Sequence, residues 1–192
     1  MPMNPLSYDD FRKATKPSKT RHRPSWDEYF MAQALTVATR SACLRRAVGA
    51  VIVKDRQLIS TGYNGPPAGL DHAEAVGCYR EIANIPSSQR IELCRGLHAE
   101  QNAIVLGAKK GVSVDGAVLY CTHKPCITCQ KMILNAGIQT VKFFHNYEDV
   151  DLISKEAQAK AMLVFEAVSS PYLEDLSVLL SQHFCVELSN HG

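Results

Sequence analysis

The sequence predicts an α/β fold, a three-layer α/β/α sandwich with a mixed central sheet. One segment with helical spacing of apolar residues comes first, and a hairpin of two short apolar runs follows it. Helical segments then alternate with short strand-like runs to the end of the chain. This order is typical of helices packed on the faces of a sheet.

The first helix and the hairpin have clear local signals. Ser25 and Glu28 have the spacing of a capping box, and apolar residues recur at helical spacing from there to about Arg40. An apolar run over residues 48–53 predicts a strand, and residues 58–61 predict its antiparallel partner. The four residues between them are polar, which predicts the turn of the hairpin.

The rest of the chain predicts one domain. The remaining predicted elements are helices over His98–Lys110, Pro125–Gly137, Ile153–Val168 and Pro171–Leu180, and strands over Ala117–Cys121, Thr140–Phe144 and Cys185–Leu188. Residues 66–96 show little regular pattern, which is long for a structureless loop and predicts a functional insert. We expect a single domain over residues 25–192 with a C-terminal extension from about residue 152.

Composition narrows the class of protein. The formal net charge is +2, so the whole molecule is not expected to bind nucleic acid specifically. The basic residues crowd into residues 1–24, which predicts a flexible solvated tail, with a nucleic-acid or partner arm as the alternative. No apolar run reaches membrane-spanning length. Seven cysteines without an export signal favour a reducing compartment, and we expect a cytoplasmic protein that does not bind membranes.

Two motifs contain the parts of a hydrolytic zinc site. His98, Cys126 and Cys129 can supply three ligands to a tetrahedral Zn²⁺ and leave the fourth position for water. Glu100 lies two residues after His98, where its carboxylate can take a proton from that water and return it to a leaving group. A lone C-x-x-C is weak evidence, but H-x-E together with P-C-x-x-C is the signature of zinc-dependent nucleobase deaminases.

Longer segments resemble one branch of these enzymes. The segments are Arg45–Val53, Gly62–Gly65, Cys94–Ala103 and Pro125–Cys129, and they resemble deoxycytidylate (dCMP) deaminases over about residues 26–151. The resemblance implies a cytidine deaminase-like fold and hydrolysis of dCMP to dUMP and ammonia, which supplies thymidylate synthesis. It implies that Glu100 protonates the cytosine ring and then the departing amine. Relatives of this kind are homo-oligomers, often hexamers, activated by dCTP with Mg²⁺ and inhibited by dTTP.

Five more residues are candidates for substrate or effector binding. Given the family resemblance, we expect Asn64 and Gly65 to contact the nucleotide. The alternative is that the pair forms an ordinary Asn-Gly turn at the end of a strand. Asn102 could orient the end of the hairpin or satisfy a buried polar contact. Lys109 could meet a phosphate, or it could lie in solvent at a helix end, where cations are favoured. Tyr147 could stack on the ligand or meet its phosphate, or it could be a surface aromatic residue.

Four further residues leave open a second, structural zinc site. Some relatives hold such an ion with a cysteine at the end of the first helix and residues of the insert. Here the candidate ligands are Cys43, His72, Cys78 and Cys94. The chain departs from that pattern at Ala73, where relatives often have cysteine. The alternative is that the cysteines are reduced and fill space.

Other functions remain as alternatives. A deaminase of the same fold could act on another small nucleobase compound. A polynucleotide deaminase would need a basic, aromatic-lined channel, and the chain offers only a basic tail. A non-catalytic, zinc-stabilised module is a different class, because related sequences occur in competence operons. The presence of Glu100 argues against that module, since a purely structural zinc site needs no such carboxylate.

Overall fold

The fold is built around one five-stranded sheet. A computed structural model describes residues 23–86, 89–146, 152–160 and 162–184. The strands are β1 (Gly49–Lys54), β2 (Gln57–Tyr63), β3 (Val118–His123), β4 (Thr140–His145) and β5 (Val164–Ala167). The helices are α1 (Trp26–Ala38), α2 (Ala73–Val76), α3 (Tyr79–Ile82), α4 (Ala99–Lys109), α5 (Ile127–Asn135), α6 (Leu152–Ala159) and α7 (Pro171–Phe184), with a 3₁₀ turn at Ile91–Leu93.

The sheet is mixed, as the sequence predicts. Its strand order is β2-β1-β3-β4-β5. Strand β1 pairs antiparallel with β2 and with β3, whereas β3, β4 and β5 run parallel. The hairpin therefore lies at one side of the sheet, and the helix-linked strands continue it.

Alternate side chains of the strands face two different helix layers. In β1, Val51 and Val53 belong to a core cluster that α1 and α7 cover. Ala50 and Ile52 point to the other cluster, which includes residues of α4 and α5. Because side chains alternate along a strand, this central strand is buried on both faces. The three-layer α/β/α prediction is confirmed.

The first helix begins where the capping box predicts. The backbone N–H of Ser25 donates to Glu28 Oε2 at 2.8 Å, and the N–H of Glu28 donates to Ser25 Oγ at 3.2 Å. These bonds satisfy two donors that a helix N-terminus leaves free. The helix ends at Ala38, two residues before the predicted end at Arg40.

Two glycines let helices approach the sheet closely. A Cβ atom at Gly49 would lie 2.2 Å from the carbonyl oxygen of Ala34 in α1. A Cβ atom at Gly62 would lie 2.2 Å from the carbonyl oxygen of Ala99 in α4. Since both neighbours are backbone atoms, neither can move without shifting its helix. Gly62 therefore sets the distance between the sheet and the helix that carries Glu100.

The prediction of one helix over Ile153–Val168 is wrong in its second half. Helix α6 ends at Ala159, and residues 164–167 form the edge strand β5. The N–H of Val164 donates to Gln139 O at 2.8 Å, which begins the parallel pairing with β4. The apolar residues of a segment as short as 164–167 fit the spacing of a helix and also that of a strand. Pairing with β4 makes this segment a strand.

Further predictions concern the two ends of the chain and membrane-spanning helices. The strand predicted over Cys185–Leu188 and residues 1–22 of the tail lie outside the described residues. Helix α7 continues to Phe184, beyond the predicted end at Leu180. Among the described helices, none combines the length and the apolarity needed to cross a bilayer.

The insert is closed at its base. Gly65 and Leu97 form an isolated antiparallel bridge, in which Gly65 N donates to Leu97 O at 3.2 Å and Leu97 N donates to Gly65 O at 2.9 Å. Between them, the described residues of the insert form α2, α3 and the 3₁₀ turn. Two arginines bind backbone carbonyl groups of the insert. Arg45, which precedes β1, donates from Nη1 to Ile85 O, and Arg95, which belongs to the insert itself, donates from Nε to Asp71 O.

Candidate metal centre and active site

Two helix N-termini bring the three predicted metal ligands together. His98 immediately precedes α4, and Cys126 immediately precedes α5. The Nδ1 atom of His98 lies 3.4 Å from the Sγ atoms of both Cys126 and Cys129. The three ligand atoms lie within 4.8 Å of one another, so the predicted convergence of His98 with the cysteine pair is confirmed.

The three side chains shift one another's pKa values. Hydrogen bonds from Cys129 and then from His98, against an opposing effect of burial, lower the pKa of Cys126 to about 4. The hydrogen bond with Cys126 raises the pKa of His98, while the charge of Arg80 is among the opposing effects. The pKa of Cys129 is raised by its bond to Cys126 and by burial. The thiolate form of Cys126 is therefore favoured. The positive end of the α5 helix dipole, which begins at this residue, favours it as well.

The donor set fits zinc. One imidazole nitrogen and two sulfurs are ligands that Zn²⁺ accepts in tetrahedral sites. Three protein ligands leave a fourth position open, which is typical of catalytic rather than structural zinc sites. Within the described ranges, this is the one group of three or more His, Cys, Asp or Glu side chains whose ligand atoms converge.

Glu100 is buried beside this group. It lies in the first turn of α4 and is 4% exposed. Burial raises the pKa of its carboxyl group, against the charge of His98 and a hydrogen bond with Cys129, which act in the opposite direction. Burial thus favours the protonated carboxyl group more than in an exposed glutamate, which suits a group that takes up a proton and passes it on.

A cationic cavity of about 420 Å³ opens beside these residues. His98, Glu100 and Cys126 contribute to its wall. Glu100 is the only carboxylate among its described lining residues. The basic side chains of the lining are Arg45, Arg46, Arg80, Arg95 and Lys124. This distribution suits an anionic ligand.

The sequence reasoning did not assign these basic residues to the site. Arg45, Arg46 and Arg95 occur in segments that carry the family resemblance, which was the available signal. Arg80 lies in the patternless insert, where nothing local marks it. His123 also lines the cavity; burial, then the charge of His145, lowers its pKa to about 3, so its imidazole is neutral.

Asn64 lines the cavity, but its amide already has protein partners. Its Oδ1 atom accepts from Ser41 Oγ at 2.6 Å and from Val48 N at 2.9 Å. Its Nδ2 atom donates to Arg46 O at 2.7 Å. The structure therefore favours a scaffold role for this side chain over the predicted nucleotide contact.

The structure also describes the surroundings of three other candidates, Gly65, Asn102 and Lys109. The N–H and C=O of Gly65 both bond to Leu97 in the bridge, so the N–H is not available to a nucleotide. Asn102 Nδ2 donates to Tyr63 O at 2.8 Å, which fits its predicted role of orienting the hairpin end. Lys109 is exposed at the far end of α4, about 15 Å of helix from Ala99, and does not reach this chain's cavity.

The predicted second zinc site is not assembled. Cys43, Cys78 and Cys94 line the same cavity, and His72 is exposed just before α2. Although all four residues are described, no three of them have ligand atoms within the range that the first site shows. The site stays a prediction that would require the insert to rearrange. Tyr147 lies outside the described residues.

A family comparison agrees with the site. Residues 24–145 match the model of the cytidine and deoxycytidylate deaminase zinc-binding region. The chain belongs to this family. The matched segment includes α1, the hairpin, the insert and both halves of the metal group, and it ends with β4.

Two similar proteins are longer than the segments that match this chain. It is 38% identical over 140 residues to deoxycytidylate deaminase of Schizosaccharomyces pombe, covering 73% of this chain and 43% of that protein. It is 45% identical over 126 residues to ComE operon protein 2 of Bacillus subtilis, covering 66% of this chain and 62% of that protein. The chain thus spans about half the length of these two relatives.

A solved structure of the family also matches the fold. The dCMP deaminase of cyanophage S-TIM5, in complex with dCMP and dUMP, superposes with a TM-score of 0.62 at 32% identity. The match covers 77% of this chain and 100% of that chain. The cytidine deaminase-like fold is therefore confirmed at the level of a complete related chain.

Proposed function

We propose that this chain catalyses the zinc-dependent hydrolysis of dCMP to dUMP and ammonia. The observation that carries the proposal is the buried Glu100 beside a three-ligand metal group, in the wall of a cationic cavity. The cyanophage relative supports the substrate, since its structure contains dCMP and dUMP.

His98, Cys126 and Cys129 would hold the zinc ion. When bound, zinc supplies a water of lowered pKa as the nucleophile for attack at C4 of cytosine. Hydrogen bonds from Cys129 and His98 lower the pKa of Cys126 to about 4, which favours the thiolate form that a zinc ligand needs. The burial of Cys129 excludes solvent from one side of the group.

Glu100 would carry the proton. As a carboxylate, Glu100 would take one proton from the attacking water and donate it to N3 of the cytosine ring, and burial raises the pKa of the carboxyl group that holds this proton. It would then take the remaining proton of that water from the hydroxyl group formed at C4 and deliver it to the amine, which leaves as ammonia, so that Glu100 ends as the carboxylate with which it began. One side chain thus acts as acid and as base, which requires a pKa nearer to neutrality than that of an exposed glutamate.

The basic lining would select a nucleotide. A monophosphate brings negative charge into a cavity whose described wall carries five basic residues and one carboxylate. Guanidinium groups bind phosphate through two parallel hydrogen bonds, so arginines suit this task. We therefore expect dCMP to be a much better substrate than deoxycytidine, which lacks the phosphate.

Regulation, assembly and location belong to the proposal as well. From the resemblance, we propose activation by dCTP with Mg²⁺, inhibition by dTTP, assembly as a homo-oligomer such as a hexamer, and a cytoplasmic role in thymidylate supply. We propose one deaminase domain over residues 25–192 that follows a basic tail. Titrating dCTP and Mg²⁺ into the assay would reveal the regulation, and light scattering would give the assembly.

One observation favours a second candidate function. The similarity to ComE operon protein 2 is consistent with a non-catalytic, zinc-stabilised module. The burial of Glu100 weighs against this module. Burying a carboxyl group costs stability, and a purely structural zinc site does not need that carboxyl group. A module of this kind would bind zinc but release no ammonia.

The proposal is tested by measuring ammonia release from the full zinc-loaded chain. The substrates are dCMP, deoxycytidine and dAMP at equal concentrations, with dUMP identified as product by chromatography. We expect rapid release from dCMP, slow release from deoxycytidine and none from dAMP. Release from dAMP but not dCMP would favour a different deaminase, and no release from any of the three would favour the non-catalytic module.

A further inference from the structure

Arg80 is a buried cation in the insert. It lies in α3 and is 9% exposed. Its Nη2 atom donates to Pro86 O at 3.1 Å, while its Nε atom is buried with no hydrogen-bond partner. It forms no ion pair with any residue that the structure describes.

Burying an arginine in this way is unfavourable unless an anion compensates for its charge. The chain offers little compensation at this place. Glu100 is the only carboxylate in the described wall of the cavity and lies with the metal ligands. Glu92, an acidic residue of the insert whose pKa the charge of Arg80 helps to lower, pairs with Arg90 and is exposed. A ligand is the remaining source of negative charge.

Three of the other four cations of the cavity are placed differently. Arg45 and Arg95 donate to carbonyl groups of the insert, so they hold its backbone. The ammonium group of Lys124 lies over the rings of Phe143 and Phe165. Arg80 is the most deeply buried of the five, and its guanidinium retains donors that the protein does not use.

We propose that Arg80 is a specificity-determining residue that binds the 5′-phosphate of the nucleotide. The insert then functions as a phosphate-recognition element, and its closure at Gly65 and Leu97 brings Arg80 to the cavity. This inference rests on the proposed function, because it assigns a residue to the substrate of the same site. It assigns to the phosphate a residue that lies outside both zinc motifs.

The experiment measures binding of dUMP and of deoxyuridine to the full zinc-loaded chain by calorimetry. The two probes differ only in the phosphate, and neither is consumed. Arg80→Gln should weaken dUMP binding about 10- to 100-fold and leave deoxyuridine binding unchanged, since a hydrogen bond to a charged group contributes that much. Arg90→Gln is the matched control, because it removes a charge of the insert that does not line the cavity, and it should change neither affinity.

Equal weakening of both probes, or no weakening of dUMP, would overturn the inference. If Arg80→Gln does not fold, Arg80→Lys replaces it: a selective loss for dUMP supports the inference, and an equal loss for both probes overturns it. A wild type that deaminates dCMP while Arg80→Gln binds dUMP normally refutes only the role of Arg80. A wild type that neither binds dUMP nor deaminates dCMP refutes the proposed function and the inference with it.

Discussion

Glu100 and Asn64 both line the cavity, but their polar groups are used in different ways. Asn64 satisfies its amide within the protein and fixes the segment between α1 and β1. Glu100 is buried with a carboxyl group whose pKa burial raises. In physical terms, the first is a scaffold residue and the second is a residue prepared for proton transfer.

The scaffold role of Asn64 predicts a stability effect. Asn64→Ala removes three hydrogen bonds and leaves the N–H of Val48 and the carbonyl of Arg46 without their partner. We expect the free energy of unfolding to fall by about 2–3 kcal/mol in urea denaturation. Ser41→Ala removes one of the three partners of that amide and the hydroxyl that accepts from Cys43 N at 3.2 Å, and it should cost about 1–2 kcal/mol. A variant with wild-type stability and a raised KM for dCMP would instead support the nucleotide contact.

The sequence predicted the metal ligands and Glu100 because each motif is short and local. Asn64 and Gly65 were visible too, but their partners come from distant segments, so their scaffold roles were not. Arg80 shows the limit most clearly. It lies in an insert without periodicity, and only the folded chain brings it to the cavity.

At the scale of elements, the contact of α4 with the sheet positions Glu100. Gly62→Ala would place a Cβ atom 2.2 Å from the carbonyl oxygen of Ala99. We expect a loss of about 3 kcal/mol in unfolding free energy, together with weaker zinc binding, as α4 is pushed outward. Urea denaturation and zinc titration measure both effects.

Gly65→Ala is the matched control for this substitution. Its nearest neighbour would lie at 3.5 Å, an ordinary contact, so stability should change by less than about 1 kcal/mol. If the two substitutions had equal effects, the close approach of α4 at Gly62 would not be limiting.

A polar network ties α1 to the sheet. Asp27 accepts hydrogen bonds from Tyr120 Oη at 2.7 Å and Lys142 Nζ at 2.8 Å, and Lys142 also pairs with Glu166. Burial on its own would raise the pKa of Asp27, but the two hydrogen bonds outweigh it and hold that pKa below its ordinary value of 3.8. The folded state therefore favours the ionised form.

This network predicts a pH dependence of stability. Because the pKa of Asp27 is lower in the folded state, its contribution is fully present above pH 3.8 and is lost as the pH falls through the folded pKa. Asp27→Asn should lower stability at pH 7 and reduce the further loss between pH 5 and pH 3, as measured by denaturation at each pH. Identical slopes for the variant and the wild type in that range would contradict this.

The order of helical and strand patterns along the chain predicted the fold class correctly. It did not predict the edge strand β5. Residues 164–167 were predicted as the end of a helix and form β5, because the free hydrogen-bonding edge of β4 is available to them. The strand order is likewise a property of long-range pairing. Local patterns predict which elements exist more reliably than which neighbours they meet.

For the whole molecule, the metal group joins the two helices α4 and α5 on one face of the sheet. An ion that binds the folded state and not the unfolded state stabilises the fold. Removing zinc with a chelator should lower Tm by roughly 5–10 °C relative to protein held at a free zinc concentration about 100 times Kd. Adding zinc back should restore Tm, and an unchanged Tm after loss of a bound equivalent would contradict a site that spans the two helices.

The most direct measurement compares ammonia release from dCMP by the wild type and by Glu100→Gln, with the zinc content of each. Gln keeps the shape of the side chain but cannot transfer the proton. We predict one zinc per chain in both proteins and a rate at least about 100-fold lower in the variant, while Glu92→Gln, an exposed glutamate, keeps the wild-type rate. A Glu100→Gln variant that releases ammonia at the wild-type rate would contradict the account.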